Sequence, residues 1–361
     1  MSKIKQIILT PLNKFFFGGE NFFDAEEGVF YFQTSRDFPQ QTTLLGVIRH
    51  QILLQNNLMD SNGIKDETTA TTWIGAESFS PNTTRHFGKI QQLSPAFISK
   101  NGAQLQPNWR AKIEVDDPKD PEEKKKIIVI KPFSFSNSQI KASFHSQAKQ
   151  DISVIENYSE KGGIEKGFLD IATKTFYLYK DVYDKREEPQ IGINKMDRYR
   201  NNMTDDEGFY KFKYCRLKEG FAFSFYVEVA HDVELEDAII TMGKERSPFK
   251  MEVKDANEIP FQKADIQQGS KIVLLSDANV PNEIYDHCDA IISDTISFRN
   301  FGRKVSKTDN YAARPKTSSR LNLLKRGSIL QISKSANIDS VKKLLQNDNF
   351  RTIGYNFYTN Y

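Results

Sequence analysis

GFYKFKYCRLKEGFAFSFYVEV, residues Gly208 to Val229, reads as two aromatic strands joined by a turn at Lys218-Glu219-Gly220, the strongest hairpin signal in the chain. Aromatic and β-branched side chains pack well on a pleated surface, so this stretch sets the expectation of a sheet. Downstream, Asp232 to Thr241 predicts a short helix with its acids near the N-terminal end, where the helix dipole favours them. Strands at Lys271 to Ser276 and Gly327 to Ile332, a helix at Ile338 to Gln346 and a last strand at Phe357 complete the half. Strand, hairpin, helix, strands, helix, strand is the order of a mixed antiparallel α+β sheet.

The N-terminal half has a similar order. Lys3 to Thr10 predicts a buried opening strand, and Asn13 to Phe32 a hairpin or thumb-like excursion rich in Phe and Gly. FPQQTTLLGVIRHQILLQN, Phe38 to Asn56, predicts a helix: Pro39 suits a first turn, and Leu45, Ile48 and Ile52 repeat on one face. Asn57 to Ala76 reads as a polar connection, DDPKDPEEKKK (Asp116 to Lys126) as an exposed loop, and Ile127 to Phe176 as short strands. The charged connection at Lys180 to Glu188 divides the chain into domains 1–188 and 189–361, a diverged duplication.

The chain has 361 residues, 38% hydrophobic and 12% aromatic, which is enough apolar surface for two modest cores. Its net charge of +3 is unevenly distributed. Between Arg299 and Arg326 stand nine basic residues and one acid, Asp309, a local charge of 9 − 1 = +8; the remainder is therefore −5. Such asymmetry marks an electrostatic footprint for a polyanion, against the alternative of a solvated basic loop. Two cysteines, Cys215 and Cys288, exclude a disulfide framework. No secretory signal and no apolar run of about 20 residues is present, so a cytoplasmic protein without a membrane segment is expected.

Within the helical stretch, the polar first turn leaves backbone N–H groups free at a helix start, a site suited to phosphate, where Thr42 and Thr43 add hydroxyls. Gly46 costs about 1 kcal/mol of helix stability relative to Ala, which points to close packing or to the approach of another chain. The alternative is an ordinary amphipathic helix with an ordinary capping turn.

These residues resemble the Cmr3 family, subunit three of the type III-B CRISPR effector and a member of the RAMP superfamily. In that family a strand ending in Pro-Leu precedes a Phe-Pro-Pro-Gln-Thr-like element and a Gly-x-x-Arg helix; here Thr10-Pro11-Leu12 precedes FPQQTTLLGVIR. Further short matches follow in order. Gly192-Ile193-Asn194 with Gly208-Phe209-Tyr210 is similar to the family's "GI…G-x-LY" region, and Met242-Gly243-Lys244-Glu245-Arg246 to "LGGERR". Arg314-Pro315-Lys316 with Lys325-Arg326-Gly327-Ser328 is similar to "RPKP…PAGSV", and Gly354-Tyr355-Asn356 to a C-terminal glycine turn. Lys244 replaces the second glycine of its element, Lys325-Arg326 the Pro-Ala, and Gln40 a second proline.

The resemblance implies two ferredoxin-like (RRM-like) folds, binding of the 5′ tag of the guide RNA (crRNA), and docking on the large cyclase-polymerase subunit beside a RAMP backbone subunit. No cofactor is expected, and the matched elements together with the basic stretch give the expected RNA contacts as Phe38, Gln40, Gln41, Thr42, Thr43, Arg49, Gly192, Asn194, Lys244, Arg246, Arg299, Arg303, Lys316 and Arg320. Single-stranded RNA needs cations for its phosphates and aromatic faces for its bases, and Phe38, Phe298, Phe301 and Tyr311 are the aromatic candidates, with core packing as the competing role.

Catalysis is not expected. His50, His86, His145, His231 and His287 are scattered without ligand spacing, and no Walker loop or G-x-S-x-G is present. Two other readings stay open: a RAMP-fold ribonuclease that cuts repeat RNA with a histidine base, and a structural adaptor that contacts only protein.

Overall fold

The computed structural model describes residues 2–18, 21–24, 29–117, 126–141, 149–158, 162–184, 190–193, 209–243, 246–261, 265–302, 304–305 and 316–361. They form two compact units that interleave along the chain. The first comprises Met1–Gly102, Lys180–Asn257 and Asn300–Thr317, the second Ala103–Tyr179, Glu258–Arg299 and Ser318–Tyr361. These units do not follow a single cut between residues 188 and 189.

In the first unit the opening strand, Ser2–Pro11, lies between Phe221–Ala230 and Ser247–Ala256, antiparallel to both. Phe221–Ala230 pairs on its other edge with Phe97–Lys100. Numbered by sequence, the four strands stand in spatial order fourth, first, third, second. Alternation sends Ile7, Leu9, Phe223, Phe225, Phe249 and Met251 to one face, where each is fully buried. Phe15 meets Phe223 edge-on at 5.3 Å and Phe17 stacks on Phe249 at 6.0 Å. Each buried ring contributes about 2–3 kcal/mol of apolar transfer.

Helix α1, Gln41–Gln55, follows the opening strand and packs Leu44, Leu45, Ile48 and Ile52 inward. Pro39 precedes the cap residue Gln40 rather than standing inside the first turn. The predicted connection after it contains a second helix, α2, Glu67–Ile74, which the threonine-rich sequence hides; Asp66 caps it by accepting from the Thr69 amide at 2.7 Å.

Two sequence expectations fail here. The aromatic strands of Gly208 to Val229 are not paired with each other. Phe209–Lys213 lies between Gln190–Ile193 and Val29–Thr34, whereas Phe221–Ala230 has the opening strand and Phe97–Lys100 on its two edges. The turn at Gly220, φ +82°, is real, but each strand finds a partner far away in sequence. The helix expected at Asp232 to Thr241 is also absent. Ala238–Met242 is a strand against Ser247–Ala256, with Ile240 and Met242 buried and Ile239 66% exposed, a period of two. Ahead of it, the backbone of Glu234 and Glu236 bonds to the side-chain amides of Asn56 and Gln55, which holds the segment extended.

The second unit repeats the same spatial order. Its strands Lys271–Leu274, Cys288–Ile292, Ile329–Ile332 and Tyr358–Asn360 stand as fourth, first, third, second, all antiparallel. A 3-10 helix, Asn282–His287, follows the first strand and a helix, Ile338–Leu345, the third. One face of this sheet (Ile272, Leu274, Leu330, Ile332) packs with Val341 and Leu345 of that helix. The other face (Val273, Ile292, Ile329) packs with Trp109 and Ala111. Those two residues belong to Ala103–Asp116, which pairs antiparallel with Ile164–Asp170 and Lys126–Lys131, Phe176–Leu178 adding to the far edge of Ile164–Asp170. Gly327 (φ +84°) sits where a Cβ would stand 2.2 Å from the Trp109 indole nitrogen, so only glycine allows this approach.

Candidate nucleic-acid interface

Helix α1 begins without a side-chain cap. Gln40 is extended (φ −64°, ψ 144°), its carbonyl accepts from the Thr43 and Leu44 amides at 2.9 and 3.2 Å, and the first turn holds no acid. Thr42 and Thr43 are half-buried beside it. The other predicted contacts of this element turn inward. Gln41 is fully buried and its Nε2 donates to the Ser94 carbonyl at 3.0 Å. Phe38 packs edge-on against Phe223 at 5.7 Å. Arg49 donates from Nη2 to the carbonyl of Gly75, the residue that ends α2, at 2.9 Å, and burial pulls its pKa down to about 10. Gly46 is exposed, and a Cβ there would meet nothing within 4 Å, so packing inside this chain does not require it.

Gly192 pairs with Tyr210 in the strand Gln190–Ile193; Asn194 and Lys244 lie outside the described residues. Arg246 is exposed at φ +52°, in the turn that joins Ala238–Met242 to Ser247–Ala256. Gly243 in the same turn lets the Phe16 carbonyl approach to 2.4 Å from the position of a Cβ, so the close approach in this element belongs to its first glycine.

The basic stretch runs through both units. In the second unit, Phe298 pairs with Leu321, which places the exposed Arg299 and Arg320 at one end of the ribbon Thr295–Phe298/Leu321–Leu324. In the first unit, Phe301 faces Thr317 and Gly302 faces Lys316, whose side chain, like Arg303, lies outside the described residues. Asn300 donates to the Phe79 carbonyl, the Val305 amide to the Ala76 carbonyl at 2.8 Å, and Lys304 pairs with Glu77 at 3.5 Å. Glu77 also holds Arg85 at 2.5 Å. Arg326 is 5% exposed with its Nε 3.4 Å from Asp277, so one of the nine charges is neutralised inside the fold. Of the four aromatic candidates, Phe298 is a core residue against Phe350 and Tyr355, and Phe38 is half-buried with its edge against Phe223. Phe301 is 64% exposed, and Tyr311 lies outside the described residues.

A second polar surface was missed in the sequence. Along Ala103–Asp116, Leu105, Pro107, Trp109 and Ala111 are buried, while the alternate positions are Gln104, Gln106, Asn108, Arg110 and Lys112, of which Asn108 is buried and the other four are half-buried. The signal was there as a period of two with amides and cations on one phase. On that face the Arg110 guanidinium carbon lies 4.2 Å from the centre of the Phe176 ring. Lys112 pairs with Glu165 at 2.8 Å.

Among the described residues no three of His, Cys, Asp and Glu are grouped to hold a metal ion, and no helix is long and apolar enough to cross a membrane. Cys288 is a poor nucleophile: burial, with Asp289 beside it, pushes its thiol up to about 12.

The family model described as CRISPR-associated protein (Cas_Cmr3) matches residues 7–359. The chain belongs to the Cas_Cmr3 family. The ordered short matches thus identified the family correctly, including the glycines at 243, 327 and 354, all three of which take positive φ in this Cmr3-family chain. A comparison with curated proteins gives no match. Among solved structures, the chain is similar to one in the Type III-B Cmr-beta bound to cognate target RNA and AMPPnP, state 1, with TM-score 0.47 and 16% identity over 98% of this chain and 99% of that one. It is also similar to one in the Type III-B Cmr-beta bound to cognate target RNA, with TM-score 0.48 and 15% identity over 99% and 98%.

Proposed function

We propose that this chain is a non-catalytic, RNA-binding subunit of a type III-B Cmr effector, which holds the 5′ tag of the guide RNA and docks on the large cyclase-polymerase subunit, with a RAMP backbone subunit as its other neighbour. The observation that carries the reading is the basic stretch of a Cas_Cmr3-family chain. In the second unit Arg299 and Arg320 are both exposed at one ribbon end, and in the first unit Phe301 exposes its ring. Cations for phosphates and aromatic faces for bases are what unpaired RNA requires, and the stretch supplies one in each unit. The uncapped, acid-free start of α1, with Thr42 and Thr43 at its surface, is a second place suited to phosphate.

Each unit is read as a ferredoxin-like RAMP fold. The strand order fourth, first, third, second, with a helical segment after the first strand in both units, supports this. In the first unit the second helix of that plan is replaced by the strand Ala238–Met242.

Charge reversal of Arg303 and Lys316, and separately of Arg299 and Arg320, tests the reading. Guide-RNA affinity should fall and its dependence on salt should flatten, the slope shrinking by roughly 0.7 for each phosphate of a single strand that is no longer neutralised. Affinity unchanged at several salt concentrations overturns it. Cleavage of repeat RNA by the isolated chain, abolished by one His→Ala change, would replace it with the ribonuclease reading.

A further inference from the structure

In the strands Phe176–Leu178, Ile164–Asp170, Ala103–Asp116 and Lys126–Lys131, the face that carries Trp109 and Ala111 packs on Val273, Ile292 and Ile329, and on the opposite face Ala103–Asp116 carries polar side chains. Two of these strands, those bearing Phe176 and Arg110, are separated by Ile164–Asp170, a backbone distance of roughly 9.5 Å at ordinary strand spacing. Their side chains nevertheless meet. Gly167 lies on the intervening strand, and a Cβ there would stand 2.5 Å from the Phe176 ring. The ring therefore occupies the space a side chain at Gly167 would fill, and the Arg110 guanidinium carbon lies 4.2 Å from its centre.

Arg110 lacks the usual compensation. Its Nε reaches Asn108 Oδ1 at 3.4 Å, and among the described residues no carboxylate lies within 4 Å, whereas Lys112 on the same strand is paired with Glu165. On the same face the buried Nε2 of Gln104 has no hydrogen-bond partner. A buried donor left unpaired costs free energy until a ligand satisfies it. An oriented cation without a carboxylate partner, layered on an aromatic ring, offers both stacking and phosphate contact, and an amide donor farther along the same strand can add a base-edge hydrogen bond.

We propose that this face is a second site for single-stranded RNA, at which Arg110, held on Phe176 and oriented by the buried Asn108, stacks against an unpaired base or meets its phosphate, and Gln104, farther along the same face, donates to a base edge. The proposal rests on the reading of the chain as an RNA-binding subunit, and it adds a surface separate in sequence from the basic stretch.

The test uses the full chain and an unstructured 12-nucleotide RNA carrying 4-thiouridine and a fluorophore. Photo-crosslinking of the unaltered chain should map to peptides that contain Arg110 or Phe176, a readout independent of any variant's folding. Arg110→Gln and Phe176→Leu should each weaken binding about tenfold. Arg110→Lys should not restore it, because an ammonium keeps the charge but not the planar stack. If the chain binds RNA, basic-stretch reversals weaken it, and these substitutions change nothing while no crosslink falls on the sheet, this site is overturned and the first reading stands. If an acidic peptide crosslinks to the sheet and RNA does not, the ligand assignment is overturned. If the unaltered chain binds no RNA, both readings fall together.

Discussion

The side-chain amide of Gln55 and the backbone of Glu236 close a two-bond ring: Nε2 donates to the Glu236 carbonyl at 3.1 Å, and the Glu236 amide donates to Oε1 at 2.9 Å. Asn56 does the same with Glu234, at 3.0 Å in both directions. Two side chains at the end of α1 thus stand in for a neighbouring strand and hold the segment ahead of Ala238–Met242 extended. Gln55→Ala and Asn56→Ala should each lower the unfolding free energy by about 1–2 kcal/mol, the worth of one to two net hydrogen bonds. Urea unfolding of the two single variants checks this; a midpoint that does not move in either means that the rings contribute nothing.

Gly327→Ala should be far more damaging than a surface glycine change. The added carbon would enter the Trp109 indole at a backbone φ of +84°, combining overpacking with left-handed strain, a loss of about 3 kcal/mol. Chemical denaturation followed by tryptophan emission reads both stability and the indole's surroundings. Gly46→Ala supplies the contrast: its site is open, so helix propensity alone should raise stability by about 1 kcal/mol.

Phe301→Ala should separate binding from folding. A ring that is 64% exposed contributes little to the core, so stability should stay within about 0.5 kcal/mol. If a base stacks on it, RNA affinity should drop by about 1–2 kcal/mol in an anisotropy titration. An equal loss in both measurements would falsify the stacking role.

Cys288 should resist alkylation. With a thiol pushed up to about 12, the thiolate fraction at pH 8 is of order 10⁻⁴. Iodoacetamide should therefore label the native chain on the order of a thousandfold more slowly than the urea-unfolded chain, as followed by mass spectrometry. The linkage has a definite sign. A folded pKa raised above the unfolded value means that the native state holds its proton longer, so this group's contribution is present below about pH 9 and is lost as pH rises toward 12.

What was legible in the sequence was local. The opening strand, helix α1, the strands beginning at Lys271 and ending at Ile332, and the helix Ile338–Leu345 all declared themselves through their own periodicity. The aromatic pair around Gly220 failed because a turn between two strands does not state their partners. Phe225 is opposite Ile7, more than two hundred residues away, and nothing near Phe225 encodes that choice. The Asp232 to Thr241 helix failed for a related reason: its acids suit a helix start, but the amides that hold it extended come from α1.

The candidate site divides in the same way. Position in the basic stretch was readable from charge, while commitment was not. Arg49, Gln41 and Arg326 carry polar groups that the fold spends on Gly75, Ser94 and Asp277. Arg110 went unnoticed because its importance lies in Gly167 and Phe176, which reach it only across the sheet.

The pairing of Ile4 with Ala256 has a temporal consequence. During synthesis the first strand leaves the ribosome about 250 residues before its partner, which at roughly 5–20 residues per second is a delay of about 12–50 s. For most of that interval both edges of an isoleucine-rich strand are unmet, since its other neighbour, Phe221–Ala230, arrives only about 25 residues before the end of it. The segment that becomes the centre of the first sheet is thus the one most exposed to wrong partners during synthesis, and slowing initiation or supplying a holding chaperone should raise the soluble yield more than any substitution at the surface.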